Sequence, residues 1–160
     1  MKNIKLYIYL FVALILQTTV INRFGIFGVF PNLIVIVAFL NSMASNSFDS
    51  VIYGFVCGFS LDLLSGKIIG LNAILVTYIS FLITYINNKF VYMKSATVFI
   101  VIFLMTTLYQ SLFVILNYTI WNIGTFLYAL PKILIEALLN SIIAFVIYKI
   151  INIKTTEIVK

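Results

Sequence analysis

The feature that most constrains this chain is a series of six apolar runs, separated by connectors of only a few polar residues. The runs cover residues 6–21, 32–44, 51–64, 68–86, 95–116 and 132–151. A helix needs about 20 apolar residues to cross the hydrocarbon core of a bilayer, and most of the runs approach that length. They lack the alternation of apolar and polar residues that marks the strands of a membrane barrel. We therefore expect an all-α fold, a polytopic membrane helix bundle.

The prediction is a single domain of residues 1–160 with about six transmembrane helices. Because the second and third runs are short, four spans with re-entrant segments are the alternative. Pro131 is expected to occupy the first position of the last helix, where its missing N–H costs little.

The composition excludes most soluble functions. Hydrophobic residues make up 64% of the chain and charged residues 9%, with a net charge of +6. Soluble domains carry about 25% charged residues, because water-facing surface needs them. The basic residues stand at the ends of the apolar runs and form no patch, which argues against nucleic acid as a partner. The chain has no histidine and a single cysteine, Cys57, so we expect no metal site, no cofactor and no intrachain disulfide.

The same basic residues predict an orientation in the membrane. With the N-terminus in the cytoplasm, seven basic residues fall on the cytoplasmic side: Lys2, Lys5, Lys89, Lys94, Lys149, Lys154 and Lys160. The outer side then holds three: Arg23, Lys67 and Lys132. This excess fits the positive-inside rule. Aromatic residues form two interfacial belts in the same arrangement, with Tyr7, Tyr9, Tyr85, Tyr92 and Tyr148 inside and Tyr118, Trp121 and Tyr128 outside. We expect a multi-pass membrane protein with both termini in the cytoplasm.

The third run carries three residues spaced by four: Gly54, Gly58 and Asp62. This spacing places them on one face of a helix. Two glycines in a GxxxG pattern let another helix approach closely. We interpret Gly54 and Gly58, with the neighbouring Phe55 and Phe59, as a helix-packing or partner-docking surface. Packing within the bundle is the simpler of these two interpretations.

Polar residues gather in the outer halves of the predicted spans. They are Gln17, Asp62, Asn72, Gln110 and Glu136. Ionisable groups inside a membrane are costly and mark candidate functional sites. The hypothesis is a polar pocket or docking surface that opens toward the outer leaflet; alternatively, Asp62 simply reaches water at the headgroups.

Two carboxylates can act as an acid and a base when their pKa values differ. No nucleophile, phosphate-binding or metal-binding motif accompanies Asp62 and Glu136, so we expect no enzyme. Structural ion pairs are the more ordinary interpretation. Asp62 could pair with Arg23 or Lys67, and Glu136 with Lys132.

An ordered set of residues resembles a known family. The set comprises Gln17, Pro31-Asn32-Leu33 after an aromatic and Gly-rich connector, Gly54-Phe55, Gly58, Leu61-Asp62, Ser65-Gly66 and Gly70-Leu71. It resembles MreD, the bacterial rod shape-determining family, most clearly over residues 10–85. One departure precedes the third run, where the family often has a Gly-rich stretch and this chain has Ser45-Asn46-Ser47-Phe48-Asp49.

The resemblance implies a non-enzymatic role. The family is similar in fold to the substrate-binding membrane subunits of energy-coupling-factor vitamin transporters. Its members act in the complex for lateral peptidoglycan synthesis at the bacterial cell membrane. They dock the bitopic protein MreC, in a wider complex with MreB, RodA and a class B penicillin-binding protein. A vitamin-binding transporter subunit is the alternative, although the first run holds only Ala13 where that class has several small residues spaced by four.

Overall fold

The computed structural model describes residues 2–19, 25, 27–66, 69–87, 95–121 and 126–158, and folds them into six helices. The helices are α1 (Lys2–Thr19), α2 (Leu33–Ala44), α3 (Ser47–Ser65), α4 (Leu71–Asn87), α5 (Ser95–Trp121) and α6 (Phe126–Ile158). The predicted all-α class is confirmed. A bilayer permits this outcome because a helix satisfies its backbone hydrogen bonds internally. Basic residues of the topology prediction that lie outside the described residues are Arg23, Lys67, Lys89, Lys94 and Lys160.

Three helical segments are long and apolar enough to cross a membrane, judged by length and composition: Ser47–Ser65, Ala96–Ile120 and Leu127–Ile151. Three shorter apolar helices accompany them: Leu6–Thr19, Leu33–Ala44 and Leu71–Asn87. The bundle therefore combines long and short helices, and this difference in length positions the candidate site described below.

Helix α2 lies at the centre of the bundle. It packs against α1, α3, α4, α5 and α6. Its side chains Ile34, Val35, Ile36 and Phe39 are fully buried. A helix that is apolar on all sides is expected to be enclosed by other elements. Asn32 caps the start of the helix, since its side-chain oxygen accepts a hydrogen bond from the N–H of Val35 at 3.1 Å.

The other helices form two pairs around α2. Helices α3 and α4 pack along their lengths, and so do α5 and α6. The α3–α4 turn begins at Gly66, which has φ +62° and donates its N–H to the carbonyl of Asp62 at 3.1 Å. Glycine suits this left-handed position because it has no Cβ. The pairs are joined where α4 meets α5.

The predicted start of the last helix is wrong. Helix α6 begins at Phe126, and Pro131 lies inside it. Proline removes one backbone donor and clashes with the preceding turn, which disfavours helix interiors. Helix α6 nevertheless packs against α5 over a long interface, and tertiary packing of this kind outweighs local propensity. Helix α3 likewise begins earlier than its apolar run, at Ser47, with Asn46 as the residue before its first turn.

Candidate functional site

Asp62 is fully buried at the end of α3 and is bound by the first turn of α4. Its carboxylate accepts hydrogen bonds from the N–H groups of Gly70 at 2.9 Å, Asn72 at 3.0 Å and Ala73 at 3.0 Å. The first N–H groups of a helix have no partner within the helix, and its N-terminus favours negative charge. Asp62 therefore satisfies three donors at once and connects α3 to α4. The cations proposed for it, Arg23 and Lys67, lie outside the described residues.

Asn72 connects the same turn of α4 to α5. Its side-chain oxygen Oδ1 accepts a 2.6 Å hydrogen bond from the hydroxyl of Tyr109. Both side chains are buried, at 6% and 3% exposure. Tyr109 was missed by sequence reasoning, which assigned tyrosines to the interfacial belts. A tyrosine in the middle of an apolar run, next to Gln110, is the signal that would have identified it, since a buried hydroxyl usually has a partner.

Gln110 and Glu136 connect α5 to α6. The amide Nε2 of Gln110 donates to Oε1 of Glu136 at 2.6 Å. Glu136 thus bonds to Gln110 and not to Lys132, the cation that the sequence suggested for it. The structure brings these two predicted site residues together.

Gln17 holds the start of α2 against the end of α1. Its Nε2 donates to the carbonyl of Pro31 at 3.2 Å, and its Oε1 accepts from the N–H of Leu33 at 2.9 Å. The intervening N–H, that of Asn32, donates to Oδ1 of Asn140 on α6 at 2.8 Å. Backbone groups ahead of a helix need such partners where no water is present.

These contacts form one layer across one end of the bundle, which we call the polar layer. Its members are Gln17, Pro31, Asn32, Asp62, Asn72, Tyr109, Gln110, Glu136 and Asn140. Within it, side-chain hydrogen bonds join α1 to α2, α2 to α6, α6 to α5, α5 to α4 and α4 to α3. The five residues predicted as a polar pocket therefore lie at the same end, but they bond to neighbouring helices, and Asp62 has no exposed surface.

Gly54 and Gly58 face α4. A Cβ on Gly58 would lie 2.5 Å from the carbonyl oxygen of Asn72 and 2.7 Å from the Cα of Ala73. A Cβ on Gly54 would lie 2.7 Å from Oγ of Ser80. The two glycines thus let α3 and α4 approach closely within this chain, the same purpose that GxxxG pairs serve between membrane helices.

Phe55 and Phe59 lie on a different face of α3 from the glycines. They are 51% and 40% exposed, and their rings are stacked with centroids 6.1 Å apart and planes 11° apart. The predicted surface is therefore divided: its glycines pack inside the bundle, and its phenylalanines project outward.

The opposite end of the bundle has its own hydrogen bonds. The hydroxyl of Thr84 donates to the carbonyl of Ser42 at 2.8 Å, and that of Ser50 to the carbonyl of Ser80 at 3.0 Å. The amide of Asn87 donates to the carbonyl of Met43. Among the described residues no group of three or more His, Cys, Asp or Glu side chains could hold a metal ion.

A comparison with known protein families assigns this chain to a family. The family model described as rod shape-determining protein MreD matches residues 2–154. The chain belongs to the MreD family. The suspected resemblance is confirmed, and it extends over α5 and α6 as well as residues 10–85. No curated protein and no solved structure matches the chain. As a member of the MreD family, the chain is a rod shape-determining membrane protein.

Proposed function

We propose that the chain is a non-enzymatic component of the complex that maintains rod shape and lateral peptidoglycan synthesis. In this complex it docks the bitopic protein MreC by binding the membrane helix of MreC. The observation that carries this proposal is the MreD family match over residues 2–154. The wider complex would include MreB, RodA and a class B penicillin-binding protein. The protein would cross the bacterial cell membrane several times, with both termini in the cytoplasm and the polar layer toward the outside.

The outward face of α3 supports the docking part of the proposal. It carries a row of exposed side chains at helical spacings of three and four, which are Phe48, Ile52, Phe55, Phe59 and Leu63. Apolar character alone does not favour helix association in lipid, so a docking face needs rigid, well-packed side chains. Stacked aromatic rings meet that need, because they offer large area with little conformational freedom. We propose that the MreC helix packs on this row, centred on Phe55 and Phe59.

The polar layer favours a scaffold over the alternative of a vitamin-binding subunit. A substrate pocket depends on a few polar groups that converge on the ligand. In this chain three contacts of the polar layer join neighbouring helices of the bundle instead: Asp62 to α4, Asn72 to Tyr109, and Gln110 to Glu136. Such a layer stabilises a fixed helix arrangement, which a docking protein requires.

Depletion in a rod-shaped host, with complementation by this chain and co-purification of MreC, tests the proposal. We expect cells to become round on depletion, to regain rod shape on complementation, and to yield MreC bound to the tagged protein. Rod shape that persists without the protein, or a complementing protein that never retains MreC, would contradict the proposal. Reporter fusions after Ala44, Asn87 and Ile158 test the topology separately, since each should report the cytoplasm.

A further inference from the structure

Aromatic side chains on α6 mark two levels whose separation matches a bilayer. Tyr128 and Tyr148 are twenty residues apart in one helix, which corresponds to about 30 Å at 1.5 Å per residue. The hydrocarbon core is also about 30 Å thick, and tyrosine prefers its two interfaces. The α5–α6 pair thus has the length and the aromatic positions to cross a whole bilayer.

Tyr118 on α5 lies at the same level as Tyr128. The bond between Gln110 and Glu136 fixes the register of the two antiparallel helices. Tyr118 is eight residues beyond Gln110 on α5, and Tyr128 is eight residues before Glu136 on α6. Both are well exposed, at 50% and 85%. This shared level, about 12 Å beyond the Gln110–Glu136 bond, is called the tyrosine level below.

Helices α3 and α4 end well before the tyrosine level. Asn72, the second residue of α4, bonds to Tyr109, and Tyr118 lies nine residues further along α5, or about 13 Å. Helix α3 ends at Ser65, one turn beyond Asp62. The polar-layer ends of α3 and α4 therefore lie about 10 Å short of the plane that α5 and α6 reach.

This difference in height between the helix ends, called the step below, is costly in a flat bilayer. The end of α3 is exposed at Leu63, Leu64, Ser65 and Gly66. The last carbonyl groups of a helix lack helical partners, and hydrocarbon offers them no hydrogen bonds. A bundle shorter than the surrounding bilayer is accommodated when the bilayer becomes locally thinner.

We propose that this protein thins the leaflet at the polar-layer end of the bundle, and only on the side of α3 and α4. Phospholipid headgroups and their water descend to the ends of α3 and α4, while they stay at the tyrosine level around α5 and α6. The lipid surface therefore has a step at the boundary between the two parts of the bundle. The inference rests on the membrane-crossing topology of the proposed function and is independent of any protein partner.

Two exposed leucines at the same depth test the step. Leu64 on α3 and Leu134 on α6 both lie about 20 Å from the level of Tyr148 by helix rise, and they are 46% and 42% exposed. In a Cys57→Ala background, the variants Leu64→Cys and Leu134→Cys are each spin-labelled in dioleoylphosphatidylcholine vesicles. Collisions of the label with a water-soluble nickel complex and with oxygen then measure its depth. Tyr128→Cys provides the interfacial reference. Ile142→Cys, about 9 Å inside the level of Tyr148, provides the hydrocarbon reference, because Leu134 lies the same number of residues inside the level of Tyr128. Leu63→Cys repeats the α3 measurement.

We expect several-fold more nickel collisions at position 64 than at position 134, with position 64 resembling 128 and position 134 resembling 142. Equal protection of positions 64 and 134 would overturn the proposal, because the bilayer would then be flat. Equal nickel access at both positions would overturn it too, since the tip of the α5–α6 pair would then stand in water. Nickel access at position 142 would contradict the membrane-crossing topology itself.

Discussion

The hydroxyl of Tyr109 and the side-chain oxygen of Asn72 form a 2.6 Å hydrogen bond in the buried part of the bundle. The bond joins α5 to the turn of α4 whose N–H groups are held by the Asp62 carboxylate. Three helices are thus connected through one turn, so changes at any of the three side chains should affect the same element.

Asp62→Asn should lower the free energy of unfolding by about 1–3 kcal/mol. The variant loses the negative charge at the start of α4, and one of its two oxygens becomes an amide nitrogen that cannot accept from N–H groups. Thermal unfolding of the purified protein in detergent measures the effect. Asp49→Asn is the matched control, because Asp49 is exposed in the first turn of α3 and should change stability by only a few tenths of a kcal/mol. Equal effects of the two variants would contradict a special role for Asp62.

Tyr109→Phe should lower stability by about 1–2 kcal/mol, because it leaves the buried oxygen of Asn72 without its donor. The ring stays in place, so packing against Phe39 and Phe113 is retained. Tyr118→Phe removes the same hydroxyl from a side chain that is 50% exposed and should be nearly neutral. The same thermal unfolding measurement compares them, and two neutral variants would show that the Tyr109 bond contributes nothing.

Gly58→Ala should destabilise the protein more than Gly54→Ala. The new Cβ at Gly58 meets the backbone of α4 at 2.5 Å and 2.7 Å, so the two helices must separate. At Gly54 the nearest atoms are the Oγ and Cβ of Ser80, at 2.7 Å and 2.9 Å, and the nearest backbone atom is the Cα of Thr77 at 3.3 Å, so a smaller displacement of the helices relieves the contact. Overpacking of this kind costs about 1–3 kcal/mol. Each variant controls for the helix propensity of the other, and a reversed order in thermal unfolding would contradict the close approach at Gly58.

Replacement of both Phe55 and Phe59 by Ala should weaken co-purification of MreC while leaving the fold intact. The two side chains project outward, so their loss creates no internal cavity. The double variant Ile74→Ala with Tyr78→Ala provides the control, since it truncates two exposed side chains of α4 that are also four residues apart. Retained MreC in the first variant, or equal loss in both, would count against the row on α3 as the docking face.

Much of the bundle is predictable because a bilayer permits few structures. Apolar runs and short connectors were enough for six helices, and the four-residue spacing of Gly54, Gly58 and Asp62 placed all three on one side of α3, facing α4. The partners of Asp62 were not predictable in the same way. They are backbone N–H groups of Gly70, Asn72 and Ala73, and only the geometry of the α3–α4 turn brings them to the carboxylate.

Two other features depend on tertiary structure. Pro131 suggests a helix start by local preference, but α6 begins five residues earlier, at Phe126, and as a whole packs along α5. The pairing of Gln110 with Glu136 depends on how α5 and α6 align along each other. The local sequence of neither helix determines that alignment. Polar residues inside apolar helices are therefore recognisable from sequence, whereas their hydrogen-bond partners are not.

The enclosed position of α2 has a consequence for biosynthesis. Its twelve residues extend about 18 Å, less than the hydrocarbon thickness, so it is a poor candidate for independent insertion. Helices α3 and α4, synthesised after it, supply most of its surroundings and the hydroxyl of Thr84 that caps its carbonyl at Ser42. We therefore expect α2 to reach its final depth only after these segments have left the ribosome. A chain that ends before α4 would lack the Thr84 hydroxyl and the surface of α4 on which α2 packs.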